Sequence, residues 1–316
     1  MTEDAHIPVM REEVLQYLKP VSGEAYFDGT IGIGGHAEAI LETASPDGRL
    51  LGCDRDPAQL AIARERLARF GDRATLVRGS FERAVEIAAS ANFHNLIDGF
   101  LIDTGVARTQ LSPEGAVGQG RGFSRRGDEP LSMSYDPDSS RTAAGLLRDL
   151  SDEELREMFG QVLRPGEVGR VVRAIVRARR TEPIETTGQL TGLLESVFGA
   201  GDPRADRRIS ATYLALRIGV NNDLEALDAG ILAAMELLRP GGVLVVLTFH
   251  GAETRLVRRA MRDLAGGHSG PPRLAGAPDR EAQVEILTPK PLFPTEEEVR
   301  TNSAARSARL HAARKL

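Results

Sequence analysis

The sequence predicts an α/β protein, an open, doubly wound sheet whose chain is interrupted by a helical insert. Four strand–turn–helix steps between Ala25 and Asp103, with polar or aromatic residues at or just past the strand ends, give the parallel half of such a sheet. Residues 106–209 then carry turn-rich and helix-periodic stretches without strand patterning, and a strongly apolar strand, Val243–Leu247, resumes the sheet beyond them. The expected organisation is an N-terminal part of the sheet domain over 1–105, a loop and helical insert over 106–209, and a C-terminal part over 210–316.

Each element follows from a local pattern. Met10–Leu18 has helical periodicity and Pro20 closes it. Ala25–Phe27 is a β-type run that stops at Asp28, after which Gly29, Gly32, Gly34 and Gly35 make a turn leading into the helix of Ala37–Leu41. Arg49–Cys53 is a second strand, and Asp54-Arg55-Asp56-Pro57 caps the helix Ala58–Phe70, with Pro57 in its first turn. Ala74–Val77 and Leu96–Ile102 are the third and fourth strands, followed by Phe81 and Asp103 respectively. From Thr104 to Ser140 nine glycines and prolines mark a long loop, of the kind that in compact domains forms lids or binding surfaces. Thr142–Leu150, Asp152–Phe159, Val168–Arg180 and Thr187–Phe198 read as helices, the second opened by the capping signal of Ser151 and Glu154. Ser210–Val220 and Asp223–Leu238 are helical, Pro240-Gly241-Gly242 is a turn, and Glu253–Leu264 is a helix. Ala282–Leu287 is a late strand, and the basic tail from Arg300 reads as a final edge strand packed on the sheet.

Composition removes several function classes. The single cysteine, Cys53, excludes an internal disulfide framework and a cysteine-rich zinc site, and no metal is expected. There is no apolar run of about 18 residues and no signal-like N-terminus, so a cytoplasmic protein with no membrane partner is expected. The net charge is −5, so any contact with nucleic acid must come from local charge. Arg164–Arg180 holds six arginines against one glutamate, and Arg170, Arg173 and Arg177 would place guanidinium groups toward phosphates.

The glycine turn carries the chemistry. Glycines let a backbone approach a ligand without Cβ clashes, and the first N–H groups of the next helix face the same space. Gly32, Gly34 and Ala37 have the G-x-G-x-x-G/A spacing, and Asp54 at the end of the second strand is placed to bind a ribose diol. That pattern serves NAD as well as S-adenosylmethionine. Asp28 ahead of the glycines can meet a cationic amino group, and nothing nearby resembles a hydride-transfer site, which favours S-adenosylmethionine; an NAD-dependent oxidoreductase is the alternative. Phe81 can stack on adenine, and Asp103, His250 and Glu253 are polar candidates near strand ends.

In combination the stretches HIPVM, DGTIGIGGHAEAIL, LGCDRDP, IDGFLIDTGV, RGFS, LRPGG, the FH after the late apolar strand and the terminal N-x-x-A-R-S-A-R-L resemble the bacterial small-subunit rRNA (cytosine-N4)-methyltransferases, nearly end to end. The resemblance implies a Rossmann-like S-adenosylmethionine-dependent methyltransferase sheet with an inserted helical domain that recognises RNA. It implies methylation of the exocyclic amine of a decoding-centre cytosine in 16S rRNA, with 16S rRNA or the assembling small ribosomal subunit as partner and a monomer or homodimer as the acting form. By matching residues, its cofactor contacts fall on Gly34, Gly35, His36, Asp54, Phe81, Asp103 and Gln110. Asp103 is the expected catalytic residue, orienting the amine, with His250 shaping the pocket. The chain departs from the family pattern on the acceptor side: DTGVARTQLS at Asp103–Ser112, Ser132 and Ser134 where the family has an acid and an arginine, and TFHGAETR at Thr248–Arg255. These changes motivate a further reading, a ribosome-assembly factor that binds the cofactor or RNA with little or no catalysis.

Overall fold

A computed structural model describes residues 8–93, 97–106, 120–125, 127–267 and 281–316. The chain divides into two compact units, one formed by Met1–Gly105 with Leu224–Leu316 and the other by Val106–Asp223.

The first unit is built on a seven-stranded sheet among the described residues: β1 (Ala25–Asp28), β2 (Arg49–Asp54), β3 (Ala74–Arg78), β4 (Ile97–Asp103), β5 (Leu238–Thr248), β6 (Val284–Ile286) and β7 (Arg309–Lys315), in the order β3-β2-β1-β4-β5-β7-β6. The first five are parallel, and β7 runs antiparallel to both β5 and β6. Alternation along the strands builds a core on each face. Tyr26, Leu50, Leu101, Val243, Val245 and Leu247 pack on one side, while Phe27, Leu51, Phe100, Ile102, Leu244 and Val246 pack on the other. Phe27 and Phe100 stack across β1 and β4 with ring centroids 4.6 Å apart. The strand order reverses between β1 and β4, and in open α/β sheets ligands bind outside the carboxyl ends of the strands at such a switch point.

Two expectations are corrected. The tail forms β7, but it is inserted between β5 and β6 and is not an edge. Leu310, Ala312 and Ala313 are apolar and buried on both faces of the sheet, which suits an interior position. The insert also runs past residue 209. Asp202 accepts the Arg204 N–H as an N-cap and Pro203 occupies the first turn, so the helix read as starting at Ser210 spans Pro203–Asn221. Its Ala205, Ile209, Tyr213 and Leu216 belong to the core of the second unit.

That second unit is helical, with helices Ala143–Asp149, Asp152–Gly160, Pro165–Ala178, Thr187–Phe198 and Pro203–Asn221 around a core of Leu146, Leu155, Phe159, Val171, Val172, Ile175, Leu190, Leu194 and their neighbours. Capping boxes at Ser151/Glu154 and Thr186/Gln189 fix two of the helix starts, the first as the sequence predicts.

Candidate active site

Three carboxylates stand at the carboxyl ends of adjacent strands: Asp28 on β1, Asp54 on β2 and Asp103 on β4. The glycine turn runs between them. Gly34 is the N-cap of helix Gly35–Thr43 at φ 84°, a left-handed conformation that a side chain disfavours, and an added Cβ would touch Leu67 at 3.4 Å. The Gly34 N–H donates to the Ile31 carbonyl at 2.7 Å, closing the turn. The first-turn amides Gly35–Ala37 have no intrahelical acceptor and face the strand ends as a positive pole.

Each carboxylate is held by backbone. Asp54 Oδ2 accepts the Gly32 N–H at 2.9 Å and its Oδ1 accepts the Asp56 N–H at 2.9 Å, so this residue both shapes the glycine turn and starts the next helix. Since a carboxylate offers about four lone pairs, acceptor capacity remains. Asp103 Oδ1 accepts the Gly105 N–H at 3.0 Å, and its own N–H donates to Thr30 Oγ1 at 2.7 Å. Asp28 Oδ1 accepts the Thr30 N–H at 3.1 Å, while its Oδ2 is buried with no hydrogen-bond partner among the described residues. Thr30 thereby ties the ends of β1 and β4 together.

The electrostatics follow chiefly from burial of three acids, with repulsion from the other two acting at Asp28. Burial pushes the Asp28 carboxyl up to about 7, the charges of Asp103 and Asp54 act in the same direction, and the Thr30 N–H opposes them. Burial raises Asp54 to about 6 against the N–H groups of Asp56 and Gly32. Asp103 is raised to about 6 by burial, partly opposed by the Gly105 N–H and reinforced by the charge of Glu253. A cation placed among them would relieve all three. The orphaned Asp28 oxygen, the left-handed glycine and the helix N-terminus that follows it are what a cofactor with an amino-acid tail requires, and these residues fit S-adenosylmethionine.

The other expected positions divide. His36 is buried in the first turn of its helix, with Nε2 3.7 Å from Asp103 Oδ2. Phe81 follows β3 and is half-buried; a Cβ built on Gly29 would fall 2.7 Å from its Cβ, and one on Gly230 would fall 2.3 Å from its Cδ2. Its ring is thus seated against two glycines. Gln110 lies outside the described residues. His250 caps helix Gly251–Leu264, and Glu253, 1 % exposed, accepts the N–H groups of Phe249 at 2.8 Å and His250 at 3.2 Å. His250 Nε2 stands 2.8 Å from Glu253 Oε1. The site therefore brings together Gly34, Gly35, His36, Asp54 and Asp103 by direct bonds or adjacency, while His250 belongs to the turn after β5.

Sequence reading gives Thr30 no role, although Asp-Gly-Thr after a strand is an Asx-turn pattern that would have signalled it. It names Glu253 without a function; H-x-x-E after a strand has the spacing of a capping box, which is what forms. Of the arginines, Arg179 bonds the carbonyls of Leu147 and Leu150, Arg314 pairs with Glu285 at 2.7 Å, and the Lys315 ammonium donates to the carbonyls of Met235 and Leu238. Those groups serve the fold.

Comparison with known proteins agrees over the full length. The family model described as the MraW methylase family matches residues 3–316. A protein of Geobacter sulfurreducens called ribosomal RNA small subunit methyltransferase H is 42% identical over 319 residues, covering 99% of this chain and 99% of its own. Proteins of the same description from Heliobacterium modesticaldum and Oleidesulfovibrio alaskensis are 39% and 41% identical, covering 98% and 99% of this chain and 98% and 95% of their own.

Proposed function

The chain belongs to the MraW methylase family, and on that premise we propose that it transfers a methyl group from S-adenosylmethionine to N4 of a cytosine in small-subunit rRNA, at the decoding centre. The observation that carries this reading is the set of three carboxylates around one glycine turn at the switch point of the sheet. The bound cofactor supplies an electrophilic methyl group. Asp28 receives the cationic amino group at its unpartnered oxygen, and Asp54 accepts hydrogen bonds from the ribose hydroxyls. Phe81 offers a ring face to adenine. Gly34, Gly35 and His36 bring backbone close to the ligand.

The acceptor amine is a poor nucleophile because its lone pair is delocalised into the ring. Asp103 accepts an N–H of that amine, turns the lone pair out of conjugation and takes the proton; its pKa near 6 leaves it ionised at neutral pH. Thr30 and Gly105 fix its backbone and carboxylate, so orientation is set before the acceptor arrives. His250, held by Glu253, shapes the neighbouring turn. A cytosine in structured RNA must be unstacked before its amine is reachable, and the helical unit is suited to holding that RNA. The protein acts in the cytoplasm, as a monomer or homodimer.

Mapping N4-methylcytosine in 16S rRNA by mass spectrometry, in a strain lacking the gene and in its parent, tests the reading. One decoding-centre cytosine should lose its methyl group and regain it on complementation. Identical maps would defeat the assignment. Incorporation of labelled methyl groups by the purified protein should fall about 10²- to 10⁴-fold in D103N, the usual contribution of a proton acceptor.

A further inference from the structure

We propose that the exposed face of helix Pro165–Ala178 is a phosphate-contacting surface for RNA, with Arg170, Arg173 and Arg177 as its contacts and Arg180 extending it past the helix end. The inference rests on the RNA-directed reading above. The helix buries Val168, Val171, Val172 and Ile175 in the second unit's core, which fixes the opposite face toward solvent. Arg170, Arg173 and Arg177 are spaced i, i+3, i+7 and all are exposed, so their side chains line one stripe. That stripe covers roughly 10 Å of helix axis.

The stripe is a run of four exposed arginines without counter-charge on one helix face and just past its end, whereas several arginines of the same unit are matched: Arg125 with Asp206 at 2.8 Å, Arg148 with Asp149 at 2.8 Å and Arg208 with Glu167 at 2.9 Å. Among the described residues no carboxylate pairs with Arg170, Arg173, Arg177 or Arg180. Glu167, the helix's one acid, is taken up by Arg208 and by the Arg164 N–H. The Arg170 guanidinium lies 5.2 Å above the Phe198 ring, which orients it and leaves its charge available.

Folding does not require this arrangement. Like charges three and four residues apart repel on a helix, and the helix dipole favours only cations in the last turn, so Arg173 gains nothing from either. A protein partner would need an apolar anchor, yet the large hydrophobic residues that are exposed among the described residues, Val21, Leu232, Phe293 and Leu316, all belong to the other unit. A row of planar, permanently charged forks matches a row of phosphates.

The test compares the full-length protein with R173Q/R177Q/R180Q and R173K/R177K/R180K on protein-free, unmethylated 16S rRNA over a range of salt concentrations. Each phosphate contact contributes about 0.7 to 0.9 to the slope of log affinity against log salt. The glutamine variant should flatten that slope by about 2 and bind at least tenfold more weakly at about 0.15 M salt, by the same relation. The lysine variant should keep the slope. The helical circular-dichroism signal and the denaturant-unfolding midpoint, measured on every variant, should match the parent's and so report that the second unit is folded. An unchanged slope in the glutamine variant, or a loss seen with assembled subunits and not with free RNA, overturns the proposal, the latter in favour of a protein partner. Failure of the parent protein to methylate any small-subunit RNA would instead strike the function proposed above, since binding and its salt slope are read independently of methyl transfer.

Discussion

Asp28 keeps one carboxylate oxygen on the Thr30 amide and holds the other in a buried space without a donor among the described residues. Its carboxyl, ordinarily at 3.8, is raised to about 7, and Asp54 and Asp103 are raised to about 6. In each case the folded state binds the proton more tightly than the unfolded chain. The contribution of these groups to stability is therefore largest at low pH and is lost as pH rises from about 4 to about 7. A cation arriving at Asp28 lowers its pKa, so cofactor binding should expel protons. Titration calorimetry near pH 6.5 in two buffers of different ionisation enthalpy should show net proton release, greatly reduced in D28N. Buffer-independent heats would contradict a cation at Asp28. These acids are legible in the sequence because a carboxylate at the end of an apolar run marks a strand end. The bond from the Asp103 N–H to Thr30 is not, since it joins residues 73 apart that only the fold brings together, while Glu253 is legible as the capping partner of His250 and no further.

At the level of elements, the Phe81 ring depends on two glycines far apart in sequence, Gly29 after β1 and Gly230 on helix Asp223–Leu237. A methyl group at Gly230 would lie 2.3 Å from the ring, well inside contact distance, so the ring must move. G230A should weaken S-adenosylmethionine binding several-fold by displacing the Phe81 ring, although Gly230 is not itself assigned to the cofactor, and F81A/G230A should be no worse than F81A alone. Equilibrium binding of the four proteins decides it; additive losses would show that the glycine acts elsewhere. The capping box of helix Asp152–Gly160 supports a simpler expectation, that S151A lowers stability by about 1 kcal/mol, read by denaturant unfolding. Strands β1 to β5 are legible from their apolar runs, which in β1, β2, β4 and β5 are buried on both faces of the sheet. The place of β7 is not, because a strand's neighbours are set by crossover connections and its own pattern records only that it is buried on both faces.

Over the whole molecule, two units with separate cores share one chain of net charge −5. The sequence reading places their second junction at 209, just ahead of a helix read as Ser210–Val220; that helix starts at Pro203, and the second unit continues to Asp223. All the described cofactor residues belong to the first unit. At a hundredfold excess over Kd, S-adenosylmethionine should stabilise that unit by about 2.7 kcal/mol. Hydrogen exchange should show new protection around Asp28–His36, Asp54–Asp56 and Asp103–Gly105 and little in helix Asp152–Gly160; equal protection in both units would argue that they open together. The order of the sheet has one more consequence, for the growing chain. A ribosome that has just added Asp223 has synthesised the second unit whole, while the first has received four of the seven strands seen among the described residues and β4, with Asp103 at its tip, is still an open edge. The insert can therefore mature during synthesis, but the β4 edge waits for β5 to emerge and cover it, and the sheet beyond β5 closes only when β7 threads in beside it.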